Sequence, residues 1–165
     1  LLEASKASTG NVEMHMEACD AAVMIAQVVG EYQDKLQKQD IEIVVNEAKN
    51  PANIMADGRH LWRVFDNIMS NICKYTQDHT RVYVNVEDAG DQVRMIFKNI
   101  SKYPLNTTSD ELMERFVRGD ASRNTEGHGL GLSIASSLTA LMDGQLTIDI
   151  DGDLFKITVA MKKQA

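Results

Sequence analysis

Basic residues are in the minority in this chain. Lysine and arginine number 17 against 24 aspartates and glutamates, and the net charge is −7. A duplex nucleic-acid binder is normally basic, so no nucleic-acid partner is expected. Cysteine is scarce. The two residues, Cys19 and Cys73, make no metal-ligand motif and no disulfide framework, which fits a reducing compartment. No apolar run is long enough to span a bilayer, and no opening segment has the regions of a secretory signal. Internal repeats and low-complexity segments are also lacking. The chain opens Leu1-Leu2-Glu3 without an initiating methionine and reads as a piece of something longer, in which a membrane segment has room elsewhere.

What is present suits one soluble globular domain with a sizeable core: 165 residues, 44% hydrophobic and 25% charged. Leu1 to Thr9 is helix-compatible and stops at Gly10-Asn11, like the tail of a longer helix. Val12 to Glu17 alternates and predicts a first edge strand. Asp20 is a good N-cap for a helix whose face is Ala21, Ile25, Val28, Tyr32 and Leu36. Strands are expected at Ile41 to Asn46 and Asn53 to Ala56. Asp57-Gly58 opens a second helix with Leu61, Phe65, Ile68 and Ile72 inward. Two alternating strands follow, Thr80 to Glu87 and a run through Val93, Met95 and Phe97, joined by the hairpin turn Ala89-Gly90-Asp91. Ser109 caps a short helix to Phe116, and Val117 to Glu126 is polar. A last helix places Leu130, Ile134, Leu138 and Leu141 inward and ends at Gly144. A closing hairpin turns at Asp151-Gly152. Alternating strands bury one sheet face only, so a two-layer α/β sandwich is expected.

Two stretches carry chemistry. In GHGLGLSIA, Gly127 to Ala135, glycines alternate with other residues and run into a helix. Such a turn leaves several N–H groups unpaired at a positive helix end, a natural phosphate site; a flexible loop before a packed helix has the same pattern. Upstream, Asn67, Asn71 and Lys74 stand at i, i+4 and i+7. They fall on a stripe about 60° wide, roughly 120° from the buried stripe. An amide oxygen suits Mg²⁺ and a lysine suits phosphate; a solvated polar face fits the spacing as well. Asparagine is a poor helix former, so two of them one turn apart call for a reason.

Taken together, FDNIMSNICKYT, ELMERFVRGDASR and TEGHGLGLSIASSL resemble the catalytic and ATP-binding domain of sensor histidine kinases, in the GHKL nucleotide-binding superfamily. The first matches the asparagine box at Asn67, Asn71, Lys74, Tyr75 and Thr76, the second the phenylalanine box at Phe116 and Arg118, and the third a glycine box at Gly127, Gly129 and Gly131. The resemblance covers residues 13–165. It implies the Bergerat fold, an α+β sandwich with a mixed, largely antiparallel sheet and three main helices on one face. Residues 1–12 would be the end of a dimerisation helix and its linker.

The resemblance also implies roles. Asn71 would coordinate Mg²⁺. Asn67, Lys74 and the N–H groups of Gly129, Leu130, Gly131 and Leu132 would hold the phosphates of ATP. Tyr75 would line the site, Val117 to His128 would form a lid, and Phe116 and Arg118 would link lid and site. Adenine would lie between helices and sheet beside the strand ending at Phe97. His128, inside the glycine box, is expected to be steric or solvent-facing. The family's upstream Asp-x-Gly-x-Gly is here Asn99-Ile100-Ser101-Lys102-Tyr103. Asn99 keeps an acceptor oxygen but loses the charge, which costs about 1 kcal/mol of binding. The ending Gly152-Asp153-Leu154-Phe155 departs from the family's G-x-T-F.

The superfamily's ATPases place a glutamate where Asn67 stands, and an amide cannot act as a general base. Transfer of the γ-phosphoryl group to an external group is therefore expected, and the resemblance implies that this group is a histidine on a dimerisation domain outside this chain. None of His15, His60, His79 and His128 is followed by the acidic residue and proline of a phosphoacceptor box; the first three are expected on the surface. The chain alone should neither phosphorylate itself nor dimerise. Its parent would serve a response regulator from the cytoplasmic side of a membrane. A degenerate nucleotide sensor without transfer activity is the alternative that the altered upstream glycine box allows, and a hydrolase or serine kinase completed by a partner's base is a third reading.

Overall fold

The structure is a computed structural model and describes residues 12–49, 51–105, 111 and 130–164. The expected helix at Leu1 to Thr9, the Ser109 to Phe116 helix, the lid, and Phe116, Arg118, Gly127, His128 and Gly129 lie outside the described residues, as does the side chain of Leu130.

Among the described residues, three helices, α1 (Ala21–Gln37), α2 (Gly58–Tyr75) and α3 (Leu130–Leu141), accompany seven strands. Strands β2 (Glu42–Asn46), β4 (Arg81–Asp88), β5 (Gln92–Ile100), β6 (Gln145–Asp151) and β7 (Leu154–Lys162) form one sheet in the order β2-β4-β5-β7-β6. Only β2 and β4 run parallel. Strands β1 (Glu17–Asp20) and β3 (Asn53–Ala56) make a separate antiparallel pair. This is the expected two-layer sandwich with a mixed, largely antiparallel sheet.

The core follows the alternation. Val82, Val84 and Val86 of β4, with Val93, Met95 and Phe97 of β5, are almost wholly buried. Facing them are Ile25, Val28 and Leu36 of α1 and Leu61, Phe65, Ile68 and Ile72 of α2. The rings of Phe65 and Phe97 meet at 5.9 Å, pinning α2 to the middle of β5.

The helix starts are those expected. Asp20 accepts from the N–H groups of Ala22 and Val23 at 3.0 and 3.3 Å. Asp57 accepts from His60 N–H at 3.2 Å and from His15 N–H at 2.8 Å. That second bond bears on the first strand, expected at Val12 to Glu17 and found at Glu17–Asp20. Its partner β3 is four residues long, and Glu17 already pairs with Ala56 at its end. Beyond that point β3 offers no further residue to pair with, and His15 N–H instead donates to the Asp57 carboxylate that caps α2.

In α3, Ile134 and Leu138 are buried as expected and Leu141 only partly. Leu132, Ala135 and Thr139 are buried as deeply as Leu138 and more deeply than Ile134. The first turn of α3 is apolar nearly all round, so periodicity could not choose its face. The helix stop also differs. Asp143, not Gly144, takes the left-handed conformation (φ 62°). Asp143 N–H bonds Ala140 C=O at 3.0 Å and Gly144 N–H bonds Thr139 C=O at 2.9 Å, the Schellman pattern. Gly144 is there for space, since a Cβ would lie 2.4 Å from Met161 Sδ and 2.8 Å from Ala160 O.

Candidate nucleotide site

The asparagine stripe is not a solvated face. Asn71 is only 5% exposed, and Asn67 is partly buried. Lys74, at the outer end, is exposed. The cause is α3, whose first turn lies on this part of α2. A Cβ on Gly131 would meet Asn67 Cβ at 4.0 Å, an ordinary contact distance, so the start of α3 lies beside the asparagine row.

Burial leaves two atoms of this row without partners among the described residues, and a third such atom, Gln39 Oε1, lies just past the end of α1. Among the described residues nothing hydrogen-bonds Asn71 Oδ1 or Asn67 Nδ2, and both atoms are buried. An orphaned buried amide atom costs about 1–3 kcal/mol, and native structures seldom keep one without a reason. The two are of opposite character: one acceptor, one donor. A hard cation satisfies the first and an anionic oxygen the second. Mg²⁺ on a phosphate chain supplies both, and it commonly binds through one or two protein oxygens plus phosphates. The residues present therefore fit Mg²⁺ with phosphate. Among the described residues no group of three or more His, Cys, Asp or Glu could hold a metal ion.

The opposite wall is built where α2 ends against β5. Thr76 N–H closes α2 onto Ile72 C=O at 3.0 Å, and Thr76 forms an antiparallel bridge with Ser101. Lys102 N–H donates to Tyr75 C=O at 2.9 Å and Gln77 N–H to Ile100 C=O at 2.8 Å. Asn99 continues the inward row Val93, Met95, Phe97 and is 3% exposed. Its Nδ2 donates to Thr76 Oγ1 at 3.0 Å. Asn99 is thus a strand residue between helix layer and sheet and not a turn residue.

Where the family's glycines are missing, side chains hold the chain. Tyr103 N–H donates to Ser101 Oγ at 3.2 Å, and Ser101 Oγ–H donates back to Tyr103 C=O at 2.7 Å. Tyr103 meets Tyr75 edge-on at 6.5 Å and is 58% exposed. Neither Tyr103 nor the Thr76 hydroxyl was given a role on sequence grounds. The signal for Tyr103 was its standing where a glycine is usual; for Thr76 there was only its place in the asparagine box.

Nearby, Tyr32 O–H donates to the Asp66 carboxylate and locks α1 to α2; burial first, then that bond, raise the Tyr32 phenol above its ordinary range. Burial likewise raises the Cys73 thiol. His15 and His79 are exposed as expected, whereas the His60 side chain is only 16% exposed.

Residues 56–164 match the family described as histidine kinase-, DNA gyrase B- and HSP90-like ATPase. The chain belongs to that family. It is an ATP-binding domain of the kind that sensor histidine kinases carry. The probable sensor protein PcoS of Escherichia coli is 35% identical over 112 residues, 66% of this chain and 24% of that protein. The sensor protein VanS of Enterococcus faecium is 30% identical over 129 residues, 77% of this chain and 33% of that protein. The chain thus spans about a quarter to a third of these curated relatives. Among solved structures, the catalytic domain of histidine kinase ThkA superposes with a TM-score of 0.79 at 20% identity, covering 91% of this chain and 97% of that one. Full-length ShkA in complex with AMPPNP gives 0.82 at 22% identity, covering 99% of this chain and 35% of that one. These two share the fold. Among the described residues no helix is long and apolar enough to cross a membrane.

Proposed function

We propose that this ATPase-family domain holds Mg-ATP and presents the γ-phosphoryl group to a histidine on a dimerisation domain of its own kinase. The observation that carries this is the pair of buried amide atoms, Asn71 Oδ1 and Asn67 Nδ2, which have no partner among the described residues, at the start of α3. Their opposite polarity is that of a metal-phosphate pair. In this reading Asn71 holds the cation, and Asn67, Lys74 and the first N–H groups of α3 hold phosphate oxygens. When bound, Mg²⁺ neutralises charge on the triphosphate.

The base end follows from the second wall. Asn99 accepts from the adenine amino group, and Tyr75, backed edge-on by Tyr103, lies against the base. Phe116, Arg118, Gly127, His128 and Gly129 belong to the same reading through their motifs. That fold neighbour ShkA is described with AMPPNP supports ATP as the nucleotide.

Phosphoryl transfer is mostly positioning and charge neutralisation, which these residues supply. They supply no base for water: Asn67 is an amide. The acceptor is therefore external, a histidine in the N-terminal dimerisation domain that residues 1–12 would join to residues 13–165. The parent kinase would serve a response regulator and be anchored at a membrane with this domain on the cytoplasmic side; this chain alone would be a monomer.

Equilibrium binding of ATP with and without Mg²⁺ tests the site. Mg²⁺-dependent binding should be lost in Asn71→Ala and weakened in Asn99→Ala. Trp62 on α2 packs against the core and offers a fluorescence signal. No binding by the wild-type chain at millimolar ATP would overturn the reading.

A further inference from the structure

The Asn99–Thr76 contact has a consequence for which nucleotide is read, and it rests on the nucleotide reading above. A carboxylate offers acceptors at both ends. An amide does not: turned one way it accepts, turned the other it donates. The choice matters for a purine ring. A 6-amino group donates and needs an acceptor, whereas a 6-oxo group needs a donor.

Asn99 is 3% exposed and Thr76 fully buried, so the hydrogen bond between them is shielded from water. Thr76 is held beside the amide by its N–H bond to Ile72 C=O and by its bridge to Ser101, so its oxygen stays in reach of Asn99. The structure has Asn99 Nδ2 on Thr76 Oγ1 at 3.0 Å, which turns Oδ1 away from the threonine. We propose that Thr76 is a positioning residue: its hydroxyl holds the Asn99 amide with the oxygen toward the base, and this one buried hydrogen bond sets the discrimination between 6-amino and 6-oxo purine nucleotides. The same hydroxyl can donate to Oδ1 if the amide turns over. Discrimination is therefore weaker than a carboxylate would give, and an inosine nucleotide retains measurable affinity.

The test is the ratio of dissociation constants for Mg-ITP and Mg-ATP, since inosine differs from adenosine only by the 6-oxo group and the N1–H that comes with it, and variants at Thr76 change the partner of Asn99 alone. Thr76→Val, nearly isosteric, should shrink the ratio about tenfold, the size of one lost buried hydrogen bond. Thr76→Ser should keep the wild-type ratio. Asn99→Asp should raise it, and in that background Thr76→Val should no longer change it. A ratio unchanged by Thr76→Val in a chain that still melts cooperatively overturns the proposal. In the wild-type chain, one Asn99 side-chain amide proton should exchange slowly and show a cross-peak to the Thr76 methyl group. Free exchange of both protons overturns the proposal independently, whether or not the valine variant folds. Absence of binding by either nucleotide to the wild type would instead remove the nucleotide reading itself.

Discussion

At the scale of single residues, the site is marked by groups that folding alone does not satisfy. Asn71 Oδ1 is buried without a partner among the described residues, at a cost of about 1–3 kcal/mol. Asn71→Leu, close in volume and without the polar atom, should therefore keep or raise the melting temperature while abolishing Mg²⁺-dependent ATP binding. A clear drop in melting temperature with binding retained would show that Asn71 is structural. Asp57 shows the reverse case. Burial pushes its carboxyl up, but the N–H groups of His15 and His60 and the His60 ring together bring it below the ordinary carboxylate value. A lowered folded pKa means stability that is present above about pH 4, the unfolded value, and lost as pH falls through the folded one. Asp57→Ala should cost about 1–2 kcal/mol at pH 7, and the gap from wild type should narrow as denaturant midpoints are measured toward pH 3. A gap independent of pH would remove the charge from the account. In the sequence, the spacing of Asn67, Asn71 and Lys74 was legible but their burial was not. Angular arithmetic on α2 places them about 120° from the core face; the start of α3, beside Asn67 at Gly131, covers them.

At the scale of elements, caps and alternation carried most of the information. Asp20 and Asp57 start their helices where expected, and the inward rows of β4 and β5 are the alternating residues. What periodicity lacked was the neighbour. The first strand is set by the length of β3 and not by the alternation of Val12 to Glu17, and the buried face of α3 could not be chosen from a first turn apolar all round. Two glycines in or after helices make the point testable. Gly30 sits in the exposed middle of α1 with nothing within 4 Å of a Cβ. Gly30→Ala should stabilise the chain by about 1 kcal/mol. Gly144 looks like an ordinary helix-ending glycine, yet a Cβ there collides with Met161 Sδ and Ala160 O. Gly144→Ala should destabilise by about 1–3 kcal/mol through overpacking. Chemical denaturation of both variants checks the pair. If they moved stability equally, the close approach of the α3 end to β7 would not be what selects glycine.

For the whole molecule, the proposed site draws on α2, the end of β5 and the start of α3, which meet only in the folded chain. Nucleotide that binds the folded state alone should stabilise it by about 2.7 kcal/mol at a hundred times its dissociation constant. For a chain of this length that is a rise of about 5–10 °C in melting temperature. The rise should need Mg²⁺ in the wild type and vanish in Asn71→Leu, which separates loss of the site from loss of the fold. Binding of this kind does not imply turnover. With amides and no carboxylate at Asn67 and Asn71, the asparagine row offers water beside the terminal phosphate no base to take its proton. The chain alone should bind ATP without hydrolysing it steadily and without retaining label from the γ-phosphate. Adding the dimerisation domain of its own kinase should produce an acid-labile phosphohistidine on that domain, at a rate lowered in Asn71→Leu as binding is lowered. Steady phosphate release from the isolated chain would point to water as the acceptor, and a base outside the asparagine row would then have to be sought.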